Sequence, residues 1–298
     1  MTTHTTDGEG TALSLRVLVG YDGSASAADA ITAGAALFPT AAPTLAYLWL
    51  PPFASPELTA RLRRRARNLN DLVESIEREG SAEAQRVVDA GLALARSAGW
   101  EAEGLIQRTY GGEGFQMSQL AEELDSDLVL VGSRGLGGTS AVLGSVADVI
   151  VHYSATPVLV VPPLAAAERE TLMAGPIVVG WDGSAGAQAA LDAAATLFPR
   201  RELIAAEVRR EGEQSLWTGA EGGPVATAVR LRLDSGVGVG VGRAIAQQLD
   251  ACATERGAAA IVVGSRGRSV VRELLLGSVA KATLHNVRRP VVVVPSGR

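Results

Sequence analysis

The sequence predicts an α/β protein built from two tandem doubly wound parallel five-stranded sheets, with helices on both faces and the two halves paired pseudo-symmetrically. Three observations support this fold class. The chain of 298 residues repeats itself in a fixed order. Short β-branched runs alternate with alanine-rich segments of helical length in each half. Most of these runs are apolar throughout, which is typical of strands covered on both faces.

The repeat divides the chain into two domains. "RVLVGYDGS" at Arg16–Ser24 matches "PIVVGWDGS" at Pro176–Ser184, and "FP" follows the aspartate after sixteen residues in both copies. "LGSVADVIVHYSATPVLVVP" at Leu143–Pro162 matches "LGSVAKATLHNVRRPVVVVP" near the end of the chain. Such ordered agreement indicates a duplication. We predict domains at residues 14–163 and 175–296, called half one and half two below.

Five strands are predicted in half one, from "RVLVG", "TLAYLWL", "GLIQRTY", "DLVLVG" and "PVLVV". A long helical stretch follows the second strand, from about Ser55 to Ser97, and we expect it to be interrupted near "EGSAE". Half two has the glycine-rich "REGEQSLWTGAEGGP" at this place, which predicts a smaller domain. The carboxyl ends of parallel strands share one edge of the sheet, where open α/β sheets bind ligands.

Composition excludes several function classes. The formal net charge of -5 does not favour general binding to nucleic acid or to anionic membranes. The basic run Arg61–Arg67 is followed by acidic residues and is interpreted as a solvated helix face. The single cysteine, Cys252, allows no intrachain disulfide. There is no signal-peptide core at the start and no apolar run near the roughly 18 residues that cross a bilayer, so we expect a cytoplasmic protein.

Two glycine-containing turns follow the fourth strand of each half. In half one they are Gly132 to Gly135 and Gly144-Ser145, and we expect Ser145 to cap the next helix. Free N–H groups at a helix N-terminus, a serine hydroxyl and adjacent glycine backbone together form an anion site. One isolated Gly-x-x-Gly favours a simple tight turn, whereas two turns in both halves favour binding.

Half two meets the spacing Gly-x-x-Gly, nine residues, Gly-Ser, at Gly264, Gly267 and Gly277-Ser278. Together with "VVGWDGS" and "PVVVVP", this pattern closely resembles the universal stress protein family, and half one resembles it too. The resemblance implies ATP, bound with Mg²⁺, whose phosphates lie at the glycine turns. It also implies an aspartate beside the nucleoside, an adenine contact at the end of the second strand, and pairing of the two halves across their last strands.

The resemblance therefore assigns a set of nucleotide-binding residues in each half, and no catalytic or metal-ligating side chain. In half one the set is Gly20, Asp22, Leu48, Gly132, Ser133, Arg134, Gly135, Leu136, Gly137, Gly138, Gly144, Ser145 and Val146. In half two it is Gly180, Asp182, Val208, Gly264, Ser265, Arg266, Gly267, Arg268, Gly277, Ser278 and Val279. Asp22 and Asp182 are alternatively turn formers. Arg134 and Arg266 either clamp phosphate or extend into solvent.

The two sites differ in one spacing. Only eight residues separate Gly135 from Gly144, and a missing residue turns a helix by about 100°. Gly137 and Gly138 could absorb that difference. We predict that half two binds ATP more tightly.

The sequence offers no machinery for breaking the phosphate chain. It lacks a P-loop, a recognisable nucleophile set and an evident base for activating water. We expect an ATP-binding stress sensor or regulatory scaffold rather than an enzyme, with a signalling protein or a second copy of the chain left open as partners. A nucleotide-free interaction module and a slow ATPase are the alternatives.

Overall fold

Strands and helices alternate along a computed structural model that describes residues 14–49, 56–135, 143–210, 227–233, 240–267 and 276–296. The strands of half one are β1 Arg16–Gly20, β2 Ala42–Trp49, β3 Glu103–Arg108, β4 Leu128–Gly132 and β5 Val158–Val161. Its helices are α1 Ala25–Leu37, α2 Pro56–Arg65, α3 Leu69–Ser97, α4 Glu113–Glu123 and α5 Ser145–Tyr153.

A short linker helix, α6 Ala166–Thr171, leads into half two. The strands there are β6 Ile177–Trp181, β7 Leu203–Arg210, β8 Thr227–Leu233, β9 Ala260–Gly264 and β10 Val291–Val294. The helices described in this half are α7 Ala185–Leu197, α8 Val241–Glu255 and α9 Ser278–Asn286.

All ten described strands form one sheet in the order β3-β2-β1-β4-β5-β10-β9-β6-β7-β8. Every pair within a half is parallel, and the halves join through the antiparallel pair β5–β10, where Val160 lies opposite Val291. Leu159 and Val292 on these strands are completely buried. The predicted tandem α/β fold is confirmed, and the halves join across their last strands.

The strands are apolar on both sides because helices cover both faces of the sheet. Val17 and Val19 of β1 belong to a cluster with α1, α3 and α7, whereas Leu18 between them packs with α4, α5, α8 and α9. Each cluster continues through both halves. The repeated "FP" landmark has a structural role here, because the rings of Phe38 and Phe198 meet with centroids 5.1 Å apart.

The expected interruption near "EGSAE" is wrong, since α3 runs without a break from Leu69 to Ser97. Gly80 lies inside that stretch, and a Cβ there would come within 2.7 Å of the Trp49 ring, so glycine allows close helix–sheet contact. The break falls earlier, before α3, where the side chain of Asn68 caps the helix by accepting from Asp71 N at 2.8 Å. The stretch at residues 211–226 of half two lies outside the described residues.

Candidate functional site

A cavity of about 550 Å³, cavity one, opens at the carboxyl edge of the half-one strands. Its walls are the turn after β1, the end of β2, the loop after β4, and the first residues of α4 and α5. Half two has an equivalent cavity of about 160 Å³, cavity two. Both lie where the sequence places the sites.

Most of the predicted residues line these cavities. In cavity one they are Gly20, Asp22, Leu48, Gly132, Arg134, Gly135, Gly144, Ser145 and Val146. In cavity two they are Gly180, Asp182, Val208, Gly264, Arg266, Gly267, Gly277, Ser278 and Val279. Four further predicted positions, Leu136, Gly137, Gly138 and Arg268, lie outside the described residues.

Ser133 and Ser265 support the loops and are not among the described lining residues of either cavity. Ser133 N donates to Val161 O at 2.8 Å, and its carbonyl accepts from Gly144 N at 2.8 Å. In half two, Ser265 N donates to the last strand and the Ser265 carbonyl accepts from Gly277 N, both at 2.7 Å. Each serine backbone therefore ties the loop after the fourth strand to the last strand and to the next helix.

The first glycine of each Gly-x-x-Gly is required by close packing. A Cβ on Gly132 would lie 2.6 Å from the backbone of Ser26 at the start of α1. Arg134 N also donates to Ser26 Oγ at 3.2 Å, which holds the loop against α1. Neither Gly132 nor Gly135 is among the described residues with positive φ, so close packing rather than an unusual backbone angle accounts for glycine at Gly132.

The N-terminus of α5 presents backbone donors to cavity one. Gly144, rather than Ser145, is the N-cap, because Gly144 adopts the extended cap angles of φ -65° and ψ 149°. Its N–H is already bonded to Ser133 O. The next N–H groups, of Ser145, Val146 and Ala147, have no acceptor inside the helix, and all three residues line the cavity. An anion here would meet three aligned donors and the positive end of the helix dipole.

The N-terminus of α9 repeats this arrangement in half two. Gly277 is the N-cap, with φ -60° and ψ 149°, and its N–H bonds to Ser265 O. Ser278, Val279 and Ala280 then line cavity two. The two anion turns are therefore equivalent in their backbone geometry.

Asp22 combines the two roles that the sequence left open. Its Oδ1 accepts from Ser24 N at 2.9 Å, and Ser24 caps α1 by accepting from Ala27 N at 3.2 Å. Its Oδ2 faces the glycine loop, because a Cβ on Gly135 would lie 2.9 Å from that oxygen. Asp22 thus forms the turn and also contributes a carboxylate to the cavity wall.

The second aspartate has the same geometry. Asp182 Oδ1 accepts from Ser184 N at 3.0 Å, and its Oδ2 would lie 2.7 Å from a Cβ on Gly267. Alanine at Gly267 would therefore push against a carboxylate at the cavity wall.

Two large side chains that sequence reasoning missed, Leu249 and Trp181, are among the residues lining cavity two. Starting from their glycine N-caps, α4 and α8 align so that Leu249 corresponds to Ala121. Trp181, the last residue of β6, corresponds to Tyr21, which directly follows β1. In half one, Met117 takes the place against Gly20 that Leu249 takes against Gly180.

Ligand pockets usually measure about 300–1,000 Å³. Cavity one lies within that range and cavity two below it. Volume therefore favours cavity one, whereas the loop spacing predicts tighter binding in half two, and that ranking stays a prediction.

Two tyrosines that sequence reasoning missed, Tyr21 and Tyr47, line cavity one. Burial raises the pKa of Tyr21 and of Tyr47, and the nearby carboxylate of Asp22 raises both pKa values further. Both phenols therefore keep their proton at neutral pH. Other lining residues that carried no sequence signal are Ala27, Ala46, Glu113, Met117 and Val131 in half one, and Ala187, Ala206, Ile245, Leu249 and Val263 in half two.

The described residues contain neither a candidate metal site nor a candidate membrane span. No three His, Cys, Asp or Glu side chains there are grouped so that they could hold a metal ion. Nor does any described helix combine the length and apolar character needed to span a bilayer.

The sequence model of the universal stress protein family matches residues 14–162 and 173–295. Curated universal stress proteins of Mycobacterium tuberculosis H37Rv and Mycobacterium bovis are 32% identical to this chain over 183 residues. That alignment covers 57% of this chain and 62% of each relative, so the chain matches less than two thirds of their length.

Solved structures agree with this fold. A universal stress protein from Archaeoglobus fulgidus aligns with 95% of this chain and 98% of its own, with a TM-score of 0.64 and 19% identity. A further universal stress protein from Pseudomonas aeruginosa aligns with 95% of this chain and 94% of its own, with a TM-score of 0.56 and 11% identity. Because the family model covers both halves in succession, the chain belongs to the universal stress protein family, as a tandem of two such domains.

Proposed function

We propose that the chain binds an adenine nucleotide, ATP with Mg²⁺, in cavity one and less tightly in cavity two, and that it acts as a nucleotide-dependent sensor or scaffold in a stress response. The observation that carries this proposal is the convergence of unpaired helix N–H groups on a cavity of ligand size. The donors are those of Ser145, Val146 and Ala147, and the cavity measures about 550 Å³. Phosphate is the ligand group that such a helix N-terminus suits best.

The rest of cavity one suits the other parts of a nucleotide. Arg134 lines the anion end, where a guanidinium can pair with phosphate oxygens. Leu48, Val131 and Met117 give an apolar surface for a base. The Asp22 carboxylate also lines cavity one and can accept hydrogen bonds from sugar hydroxyls.

Calorimetric titration of the purified chain with ATP and Mg²⁺ tests this function. The matched control is the double variant Ser145→Pro/Ser278→Pro, which removes one N–H and one hydroxyl from each anion turn. We expect saturable binding to the natural chain and little binding to the double variant. No saturable heat from the natural chain would favour the nucleotide-free interaction module. Equal saturable binding by both proteins would show that the nucleotide does not bind at the anion turns.

We expect ATP turnover to be far slower than the median enzyme rate of about 10 s⁻¹. None of the described residues lining either cavity is a lysine, and Asp22 Oδ1 is already engaged by Ser24 N. Phosphate release should be followed over hours and compared with that of the double variant. Release at an ordinary enzymatic rate that the double variant abolishes would establish an ATPase and overturn the binding-only function.

A further inference from the structure

Glu113 distinguishes cavity one from cavity two, because it adds a carboxylate to the described lining of cavity one alone. It is the first residue of α4, it is partly buried, and it lines cavity one. Its helix follows Gly112, an N-cap in the left-handed region with φ 75°, just as α8 follows Gly240 with φ 101°. The equivalent position in half two is therefore Val241, which is uncharged and is not among the described lining of cavity two.

Glu113 lies at the anion end of its cavity. The next residue, Gly114, touches α5 so closely that a Cβ there would lie 2.6 Å from Val149 Cβ and 3.0 Å from Val146 O. The starts of α4 and α5 are thus in direct contact. Glu113 consequently lines cavity one next to Ser145 and Val146, whose N–H groups are the anion donors.

The charges that line the two cavities differ accordingly. Among the described lining residues, cavity one has the carboxylates Asp22 and Glu113 with the guanidinium of Arg134. Cavity two has Asp182 with Arg266. Counted over these described residues, a polyanion in cavity one meets one carboxylate more than in cavity two, and like charges at close range repel.

We infer that Glu113 makes cavity one selective for nucleotides whose phosphate charge is neutralised by a divalent cation. Free ATP is repelled by the carboxylate, whereas the cation of Mg–ATP offsets that repulsion. Cavity two lacks this selectivity because Val241 replaces the carboxylate. This inference rests on the proposed nucleotide binding and adds a specificity-determining residue to it.

The test uses the full-length Ser278→Pro chain, in which cavity two is impaired, with and without Glu113→Gln. Each protein is titrated with free ATP in EDTA, with Mg–ATP and with adenosine at one ionic strength, because salt screens the effect. Glu122→Gln is the matched control, since it removes the same charge from an exposed position on the same helix.

We expect Glu113→Gln to raise the affinity for free ATP about tenfold, to change that for Mg–ATP less, and to leave adenosine within about twofold. Glu122→Gln should change none of them. An equal effect on ATP and adenosine would show a structural role for Glu113 and overturn the inference, as would an unchanged affinity for free ATP. If the Ser278→Pro chain binds none of the three ligands, nucleotide binding in cavity one fails, and the inference fails with it.

Discussion

Replacing Ser145 with proline is expected to lower the affinity of half one for ATP by about 10- to 150-fold, the effect of one lost hydrogen bond to a charged group. Proline at the first helical position removes an N–H that has no partner within the helix. The preceding Gly144 already has φ -65° and ψ 149°, which suit a residue before proline. We therefore expect the free energy of unfolding to change by less than about 1 kcal/mol. Calorimetry and thermal melts measure both quantities.

Ser278→Pro is the matched change in half two, where Gly277 has φ -60° and ψ 149°. Ser145→Ala, which removes only the hydroxyl, should have a smaller effect than Ser145→Pro. Because cavity one is the larger, we expect Ser145→Pro to remove the tighter binding event and Ser278→Pro the weaker one. If Ser278→Pro removes the tighter event, the nine-residue loop spacing ranks the sites correctly and cavity volume does not.

Residues 1–165 expressed alone are expected to form a dimer or an aggregate. In the full chain β10 covers the edge of β5, and all four residues of β5 are at most 2% exposed. Removing half two uncovers this apolar edge together with the ring of Phe38, which packs against Phe198. Bare apolar edges pair with other chains. Sedimentation velocity over a range of concentrations measures the association.

Residues 166–298, added in equal amount, provide the control for that experiment. They should convert the self-associated fragment into a one-to-one complex, because β10 then occupies the β5 edge. The role of this strand pair would be contradicted by a fragment that stays a stable monomer at all concentrations and forms no complex with residues 166–298.

Much of the fold was predictable because it depends on local pattern and on duplication. The apolar run of β5, Val158–Val161, predicts a strand covered on both faces, and its repeat in β10 predicts symmetric pairing. The strand ends also predict which residues meet, since parallel strands bring Gly20, Leu48 and Gly132 to one edge.

The features of the fold and of the site that the sequence did not predict depend on contacts between residues distant in the sequence. Gly80 suggests a helix break by itself, yet its contact with Trp49 lets α3 continue. Glu113 enters cavity one because Gly114 allows α4 to approach α5, and no local pattern encodes that contact. The backbone of Ser133 is engaged by two separate elements, a supporting role that no local pattern encodes for this predicted ligand residue.

Photolabelling with an 8-azido derivative of ATP tests nucleotide binding in cavity one most directly. Two tryptic peptides should carry the label: Val17–Arg61, which contains Leu48, and Thr109–Arg134, which contains Met117. Excess ATP and Ser145→Pro should each suppress both signals. Labelling confined to other peptides, or labelling that neither ATP nor Ser145→Pro reduces, would contradict the assignment of the nucleotide to cavity one.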